Sequence, residues 1–346
     1  MSVPGADPRV LGPYLARELG DSRWEEPTVE VVVGGRSNLT YYVTSPAGSV
    51  VLRRPPLRAV RPTAHDMTRE HRVLCALHGT AVPVPRPLLL CTDPDVLGAP
   101  FYVMERVYGV IARDRLPDGY APPPRRAEMT DALVDVLADL HDVDPAAVGL
   151  TGFGRPDGYL DRQLRRWAGE WQALRAGDDL PAVDALAAEL VAGVPKEPSG
   201  PVVHGDYRLD NVVLDPADPT RVAAVLDWEM STLGDPLADL GLLLVYWQPA
   251  PGTVVTPSVT SLPGFPARSA LVARYAARRD VDLAALPWYV ALGCFKLAVV
   301  VAGIVARQRA GAMVDNTDDG LGARIGPLAQ AGRSALAGGL DEPYGS

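Results

Sequence analysis

The chain has 346 residues, with 33 Lys and Arg against 42 Asp and Glu, a formal net charge of −9. Hydrophobic residues make up 47% and charged residues 22%, which argues against disorder and allows a core without disulfide or metal staples. An acidic chain of this length predicts two lobes or domains, and it lacks the basic excess that a nucleic-acid partner demands.

Cys75, Cys91 and Cys294 are widely spaced and form no CxxC pair. Neither a zinc ribbon nor a disulfide framework is expected, and a reducing compartment suits such a chain. The N-terminal segment has no apolar signal core, so the expected location is cytoplasmic. Only two lysines occur, Lys196 and Lys296, and three asparagines, Asn38, Asn211 and Asn316. Chemistry that needs either type must draw on these positions.

Strands dominate the first hundred residues. Val29 to Val33 is a β-branched run that meets the turn cluster Gly34-Gly35-Arg36-Ser37-Asn38 and then a second run, Leu39 to Thr44. Ser49 to Arg53 follows after Pro46-Ala47-Gly48, and the three runs predict an antiparallel meander. A helix is predicted over Thr63 to Leu77, with Met67, Leu74 and Leu77 as its buried stripe. Glu70 falls on that stripe, and an inward carboxylate requires a cationic partner. Val82 to Pro87 reads as an extended connector, and Phe101 to Met104 as a strand ending at Glu105-Arg106-Val107.

Pro122-Pro123-Pro124 reads as a loop before a helix from Arg126 to His141. Helices are also predicted over Arg162 to Arg175 and Ala182 to Ala192. Short strands follow at Val202-Val203, Val212 to Leu214 and Val222 to Leu226, the last two joined by the turn Asp215 to Pro219. Past Leu237 the chain reads as helical, apart from a Pro/Gly-rich loop over Pro249 to Pro266. Trp288 to Ala306 has the apolarity of a membrane span. Lys296 in its middle and the lack of a second span favour a buried helix instead, so no membrane partner is expected. The tail Gly338 to Ser346 is expected to fray.

The most informative stretch is Val203-His-Gly-Asp-Tyr-Arg-Leu-Asp-Asn211, followed by Ala224-Val-Leu-Asp-Trp-Glu229. Phosphoryl transfer needs one carboxylate to accept the proton of the attacking hydroxyl, and an Asn and a second Asp to hold Mg²⁺ against the triphosphate. Asp206 precedes Asn211 by the five residues found in protein-kinase catalytic loops. Asp227 ends a returning strand, so a hairpin carries it back beside that loop. Asp206, Asn211 and Asp227 are therefore the candidate catalytic residues, with Asn211 and Asp227 as the metal ligands. His204 is expected to hydrogen-bond within the loop and set its shape. Asp235 and Asp239 are expected to bind backbone N–H groups near the loop or a helix start. His65, His71, His78 and His141 show no ligand spacing and are read as structural.

These motifs resemble the aminoglycoside phosphotransferase and choline kinase-like family, small-molecule relatives of protein kinases. The likeness runs from about Val29 to Val301. The stretches Gly34 to Tyr41, Gly98 to Glu105 and Asp227 to Pro236 are similar to the subgroup that includes kinase domains fused to some acyl-CoA dehydrogenases. The resemblance implies an α+β, bilobal, protein-kinase-like fold, with an antiparallel β N-lobe over residues 1–106 and a mainly helical C-lobe over 107–346. It implies ATP and Mg²⁺ as cofactors, with the turn carrying Gly35, Ser37 and Asn38 over the phosphates. The Glu105 carbonyl and Val107 N–H would contact adenine. The family places a Lys on the third strand, and here no Lys precedes residue 196. Arg53 aligns with it and Arg54 is adjacent, with Glu70 as the natural partner. Arg keeps the charge and binds phosphate bidentately.

The implied activity is transfer of phosphate from ATP to a hydroxyl of a small molecule. Arg162, Arg165 and Arg166 form a basic cluster suited to an anionic acceptor, such as a hydroxyacyl group on coenzyme A. The family name and the acidic net charge favour an aminoglycoside instead, although no dense acidic run offers to grip one. From another class, a silent nucleotide-binding pseudokinase would account for the missing Lys, but inactive relatives tend to lose one of Asp206, Asn211 and Asp227. Oligomeric state is not legible.

Overall fold

A five-stranded antiparallel sheet and a body of helices divide the chain between them. The computed structural model describes residues 3–338 except 33–37, 58–65, 117, 121, 175–179, 197–199, 219, 251, 257 and 311–319. α1 (Pro8–Leu19) comes first. Asp7 caps it by accepting from the Arg9 N–H, Pro8 opens it, and Gly20 ends it in the left-handed region. Its interior Gly12 and Pro13 obscure it in the sequence, where no element is expected before Val29. β1 (Thr28–Val31), β2 (Leu39–Ser45) and β3 (Gly48–Arg54) form the expected meander. α2 (Met67–Leu77) follows, capped by Asp66.

β4 (Pro87–Cys91), the short α3 (Pro94–Leu97) and β5 (Phe101–Glu105) complete this lobe. The strand order is β1-β2-β3-β5-β4, so β5 inserts beside β3. β4 lies just past the predicted connector and was not legible as a strand. Alternation along β3 sends neighbouring side chains to opposite faces. Val50 and Leu52 pack under α1 with Leu11, Leu15 and Val43. Val51 packs on the α2 side with Met67, Val73 and Tyr102. Arg53 therefore shares the α2 face, and Arg54 the α1 face.

The second lobe begins with α4 (Pro123–Asp142), α5 (Tyr159–Leu174) and α6 (Pro181–Ala192). α4 starts earlier than predicted, because proline is well suited to a first helical turn, where an N–H has no partner. Four short strands follow: β6 (Val202–Val203), β7 (Val212–Leu214), β8 (Val222–Val225) and β9 (Thr232–Leu233). β7 pairs with β8, and β6 with β9. α7 (Pro236–Tyr246), α8 (Arg268–Arg278), α9 (Leu286–Arg309) and α10 (Ile325–Leu336) close the fold. α9 is long and apolar enough to cross a membrane, yet 72% of its most apolar window is buried within the protein. It serves as the central core helix of this lobe.

α7 crosses α9 at Gly241, where an added Cβ would lie 2.6 Å from the Tyr289 carbonyl carbon. Gly241→Ala should therefore lower stability by about 1–3 kcal/mol through overpacking, read as a reduced urea midpoint. Gly169 lies on α5 with no neighbouring atom within 4 Å of an added Cβ. Gly169→Ala should raise the midpoint by about 0.5–1 kcal/mol of helix stabilisation. Equal midpoints for the two variants would contradict the close α7–α9 crossing.

Candidate active site

The loop after β6 is built around buried polar groups. His204 is fully buried. Its Nε2 donates to the Leu226 carbonyl at 2.8 Å, and its Nδ1 accepts the Asp206 N–H at 3.2 Å. Those two bonds require the tautomer with its proton on Nε2. Asp239, in the first turn of α7, accepts the N–H groups of His204 at 2.6 Å and Gly205 at 2.7 Å. His141 Nε2 lies 3.3 Å from the same carboxylate, and His141 Nδ1 is 2.7 Å from the Tyr275 hydroxyl. Burial opposes the Asp239 charge, but His141 and the loop N–H groups hold its carboxyl below the usual range. Gly205 has φ +83°, and a Cβ there would meet the Met230 carbonyl oxygen at 2.7 Å. Only glycine suits that position.

Asn211 ends a short turn, Leu209–Asn211. Its Nδ2 donates to the Asp206 carbonyl at 2.9 Å and to Asp206 Oδ2 at 3.1 Å. The five-residue spacing thus becomes a direct contact, and Oδ1 is the atom that Asn211 offers a cation. Asp227 follows β8 with φ 66°, a rare conformation for a residue other than glycine. The Leu226 N–H donates to the Asn211 carbonyl at 2.8 Å, which returns Asp227 to the loop.

The sheet supplies the opposing group. Arg53 Nη2 donates to Asp227 Oδ1 at 2.9 Å, and Arg53 Nε lies 3.6 Å from Glu70 Oε2. Arg53 is 8% and Glu70 2% exposed. Tyr102, directly across from Arg53 in the sheet, donates its hydroxyl to Glu70 Oε2 at 2.9 Å. Asn38 Nδ2 donates to Glu70 Oε1 at 2.6 Å and to Glu229 Oε2 at 3.1 Å. Burial raises the Glu70 carboxyl, while Arg53, Tyr102 and Asn38 work against that rise. Burial also opposes the Arg53 charge, but the carboxylates of Glu70 and Asp227 offset it. Arg54 points the other way. Its Nη1 donates to the carbonyls of Gly5 at 2.5 Å and Leu97 at 2.7 Å.

The other predicted residues are more scattered. Gly35, Ser37 and His65 lie outside the described residues. Glu105 ends β5 with its side chain exposed, 3.9 Å from Arg86, and Val107 is two residues on. Arg162 donates to the carbonyls of Arg155 and Asp157. Arg165 donates to the Asp161 carbonyl at 3.2 Å, and Arg166 to Glu170 at 3.3 Å. These contacts tie each arginine to α5 or to the turn just before it. Asp235 caps α7 through the Leu237 N–H at 3.0 Å.

Two residues at the loop were missed in the sequence. Arg208 places Nε 3.7 Å from Asp206 and Nη1 3.1 Å from Asp210, over the ring of Tyr246. Lys296 donates from α9 to the Gly205 carbonyl at 2.6 Å. Arg208 stands inside the motif, so its position alone marked it. Lys296 was marked only as a charge in an apolar run. Among the described residues no group of three His, Cys, Asp or Glu is arranged to hold a metal. Asn211 and Asp227 remain as oxygen donors of the type Mg²⁺ prefers.

The chain is similar to known proteins over most of its length. A model of the phosphotransferase enzyme family matches residues 28–289. Acyl-CoA dehydrogenase family member 11 of Homo sapiens is 36% identical over 313 residues, covering 88% of this chain and 40% of that protein. The chain thus spans about two fifths of the length of such curated relatives. A crystal structure from Ralstonia eutropha, provisionally described as an aminoglycoside phosphotransferase, has a TM-score of 0.82 at 33% identity. It covers 96% of this chain and 98% of its own. A thermostable aminoglycoside phosphotransferase APH(4)-Ia, in ternary complex with AMP-PNP and hygromycin B, shares the fold. Its TM-score is 0.61 at 17% identity, over 93% of this chain and 98% of its own. The sheet lobe and helical lobe are those of a bilobal, kinase-like α+β fold, and the chain belongs to the phosphotransferase enzyme family.

Proposed function

We propose that the protein is an Mg-ATP-dependent phosphotransferase acting on a hydroxyl of a small molecule. One observation carries this reading. The Asp206–Asn211 loop meets Asp227 on its returning hairpin, and the Arg53–Glu70 pair docks against that same aspartate. Asp206 would orient the acceptor hydroxyl and take its proton as the oxygen attacks the terminal phosphorus. Asn211 and Asp227 would hold Mg²⁺, which when bound neutralises triphosphate charge. The donor set fits, because Mg²⁺ takes few oxygens from protein and the rest from phosphate and water.

Arg53 would hold the phosphates. Its Nε is buried with no hydrogen-bond partner, a donor suited to an anionic oxygen. Glu70, itself held by Asn38 and Tyr102, would aim the guanidinium. The turn with Gly35 and Ser37 would cover the phosphates, and the Glu105 carbonyl and Val107 N–H would bind adenine. Residues to about Arg106 would then form the nucleotide-binding lobe, and those from Val107 the catalytic and acceptor-binding lobe.

The acceptor is proposed to be an anionic metabolite, such as a hydroxyacyl-CoA. Arg208 and Lys296 both bring positive charge to Asp206, a setting that repels a polycationic aminoglycoside. Arg165 and Arg166, exposed on α5, would meet a more distant anionic group. Curated relatives named as acyl-CoA dehydrogenase family members support an acyl-CoA acceptor. A mass-spectrometric screen of hydroxyacyl-CoA thioesters, hydroxylated metabolites and aminoglycosides for ATP-dependent phosphate gain tests the class directly. Phosphate gain on aminoglycosides alone would reverse the assignment.

Asp206→Asn should leave nucleotide affinity nearly unchanged and reduce turnover by roughly 10²–10⁴-fold, the range for a lost general base. Near-normal turnover would refute its role. Asp227→Ala should abolish the Mg²⁺-dependent part of ATP binding in calorimetry, and a retained Mg²⁺ dependence would remove Asp227 from the metal site. Arg53→Ala should weaken ATP binding by tenfold or more while sparing AMP, since a charge-assisted hydrogen bond contributes roughly 1.5–3 kcal/mol. Arg53→Lys should recover part of that loss, and Arg54→Ala should leave ATP affinity alone. The reverse pattern for Arg53 and Arg54 would overturn the assignment.

A further inference from the structure

Lys296 is the sole charged side chain between Leu286 and Ala306 of α9. A cation in the middle of an apolar core helix needs a partner, since an unpaired buried charge is strongly destabilising. That partner is the catalytic loop. Lys296 Nζ donates to the Gly205 carbonyl at 2.6 Å, with the Trp167 ring of α5 5.7 Å away. The carbonyl belongs to the peptide unit whose nitrogen is that of Asp206. The N–H of that unit donates to His204 Nδ1. The Gly205–Asp206 peptide is thus held at both ends, by Lys296 and by His204. The preceding N–H, of Gly205, is held by Asp239.

We infer that Lys296 is a positioning residue for phosphoryl transfer, fixing through the Gly205–Asp206 peptide the direction in which the Asp206 carboxylate meets the acceptor. The inference rests on the phosphotransferase reading above. Charges from three sides bear on the ammonium: Asp206 and Arg208 of the loop, Asp239 of α7, and Arg166 of α5. Burial lowers its pKa, the two carboxylates oppose that shift, and the two arginines add to it.

The two-lysine composition makes this measurable. Lys196→Arg leaves one lysine, so ¹³Cε-lysine labelling gives a single side-chain resonance whose titration reports Lys296. Adding Asp206→Asn should lower its midpoint by about one pH unit, because an opposing charge has been removed. An unchanged midpoint overturns the inference and needs no turnover to read. Basal Mg-ATP hydrolysis, with water as acceptor, supplies the second measurement. Lys296→Met should reduce kcat by about 10- to 100-fold, the scale of a misplaced reacting group, with the Kd for Mg-AMP-PNP unchanged. Lys296→Arg should restore much of the rate. A parallel loss of nucleotide affinity and thermal stability, with no rescue by Arg, would mark a merely structural residue and overturn the proposal. If water accepts no phosphate, the same comparison is read on a screened acceptor; absence of transfer to water and to every acceptor would overturn the phosphotransferase reading and this role together, whereas the titration alone decides the coupling of Lys296 to Asp206.

Discussion

The Arg53 guanidinium bridges the two lobes at the site. Arg53 on β3 stands between Glu70 of α2 and Asp227 of the C-lobe hairpin, 17 and 174 residues away in sequence. Removing charge from water is costly, and the cost is recovered only where partners are close and well aligned. Glu70 illustrates this. It is almost fully buried, and it stays accommodated because Tyr102, Asn38 and Arg53 surround it. Sheet register, α2 orientation and hairpin return must all be correct for those groups to meet. The planar guanidinium turns Nη2 to Asp227 while Nε, on the Glu70 side, makes no hydrogen bond within the protein.

The helical lobe applies the same logic to the Asp206–Asn211 loop. Asp239, His141, Tyr275, His204 and Lys296 come from α7, α4, α8, the loop itself and α9. Each satisfies a backbone or side-chain group that would otherwise be buried unpaired. Because the partners sit on packed helices, the loop has few alternative positions. Gly205 and the left-handed Asp227 are the two places where its backbone is forced into conformations that most residues avoid. Such strain persists only where the surroundings over-determine it.

Much of this was legible in the sequence, and for identifiable reasons. The first three strands and α2 follow from period-2 runs, turn residues and a helical stripe. Asp206, Asn211 and Asp227 follow from spacing, because phosphoryl transfer restricts both the residue types and the loop length. The inward turn of Glu70 follows from helix geometry alone. The site residues that escaped are those whose role depends on long-range contact. Lys296 looked like an anomaly in an apolar run, and Arg208 like an ordinary loop residue. α1 was hidden by its internal glycine and proline, although Asp7, Pro8 and Gly20 were valid cap signals.

Local chemistry thus determined most of the elements and pointed to a phosphate-handling loop, and the family resemblance pointed to an arginine in place of the expected lysine. It did not determine which arginine. Arg53 and Arg54 are chemically equivalent neighbours, and only the pairing of β3 with β2 and β5 assigns them to opposite faces. The α2 face leads to Glu70 and Asp227, and the α1 face to the carbonyls of Gly5 and Leu97. Side-chain period is a local property, but which face meets the site is set by packing between elements far apart in the chain.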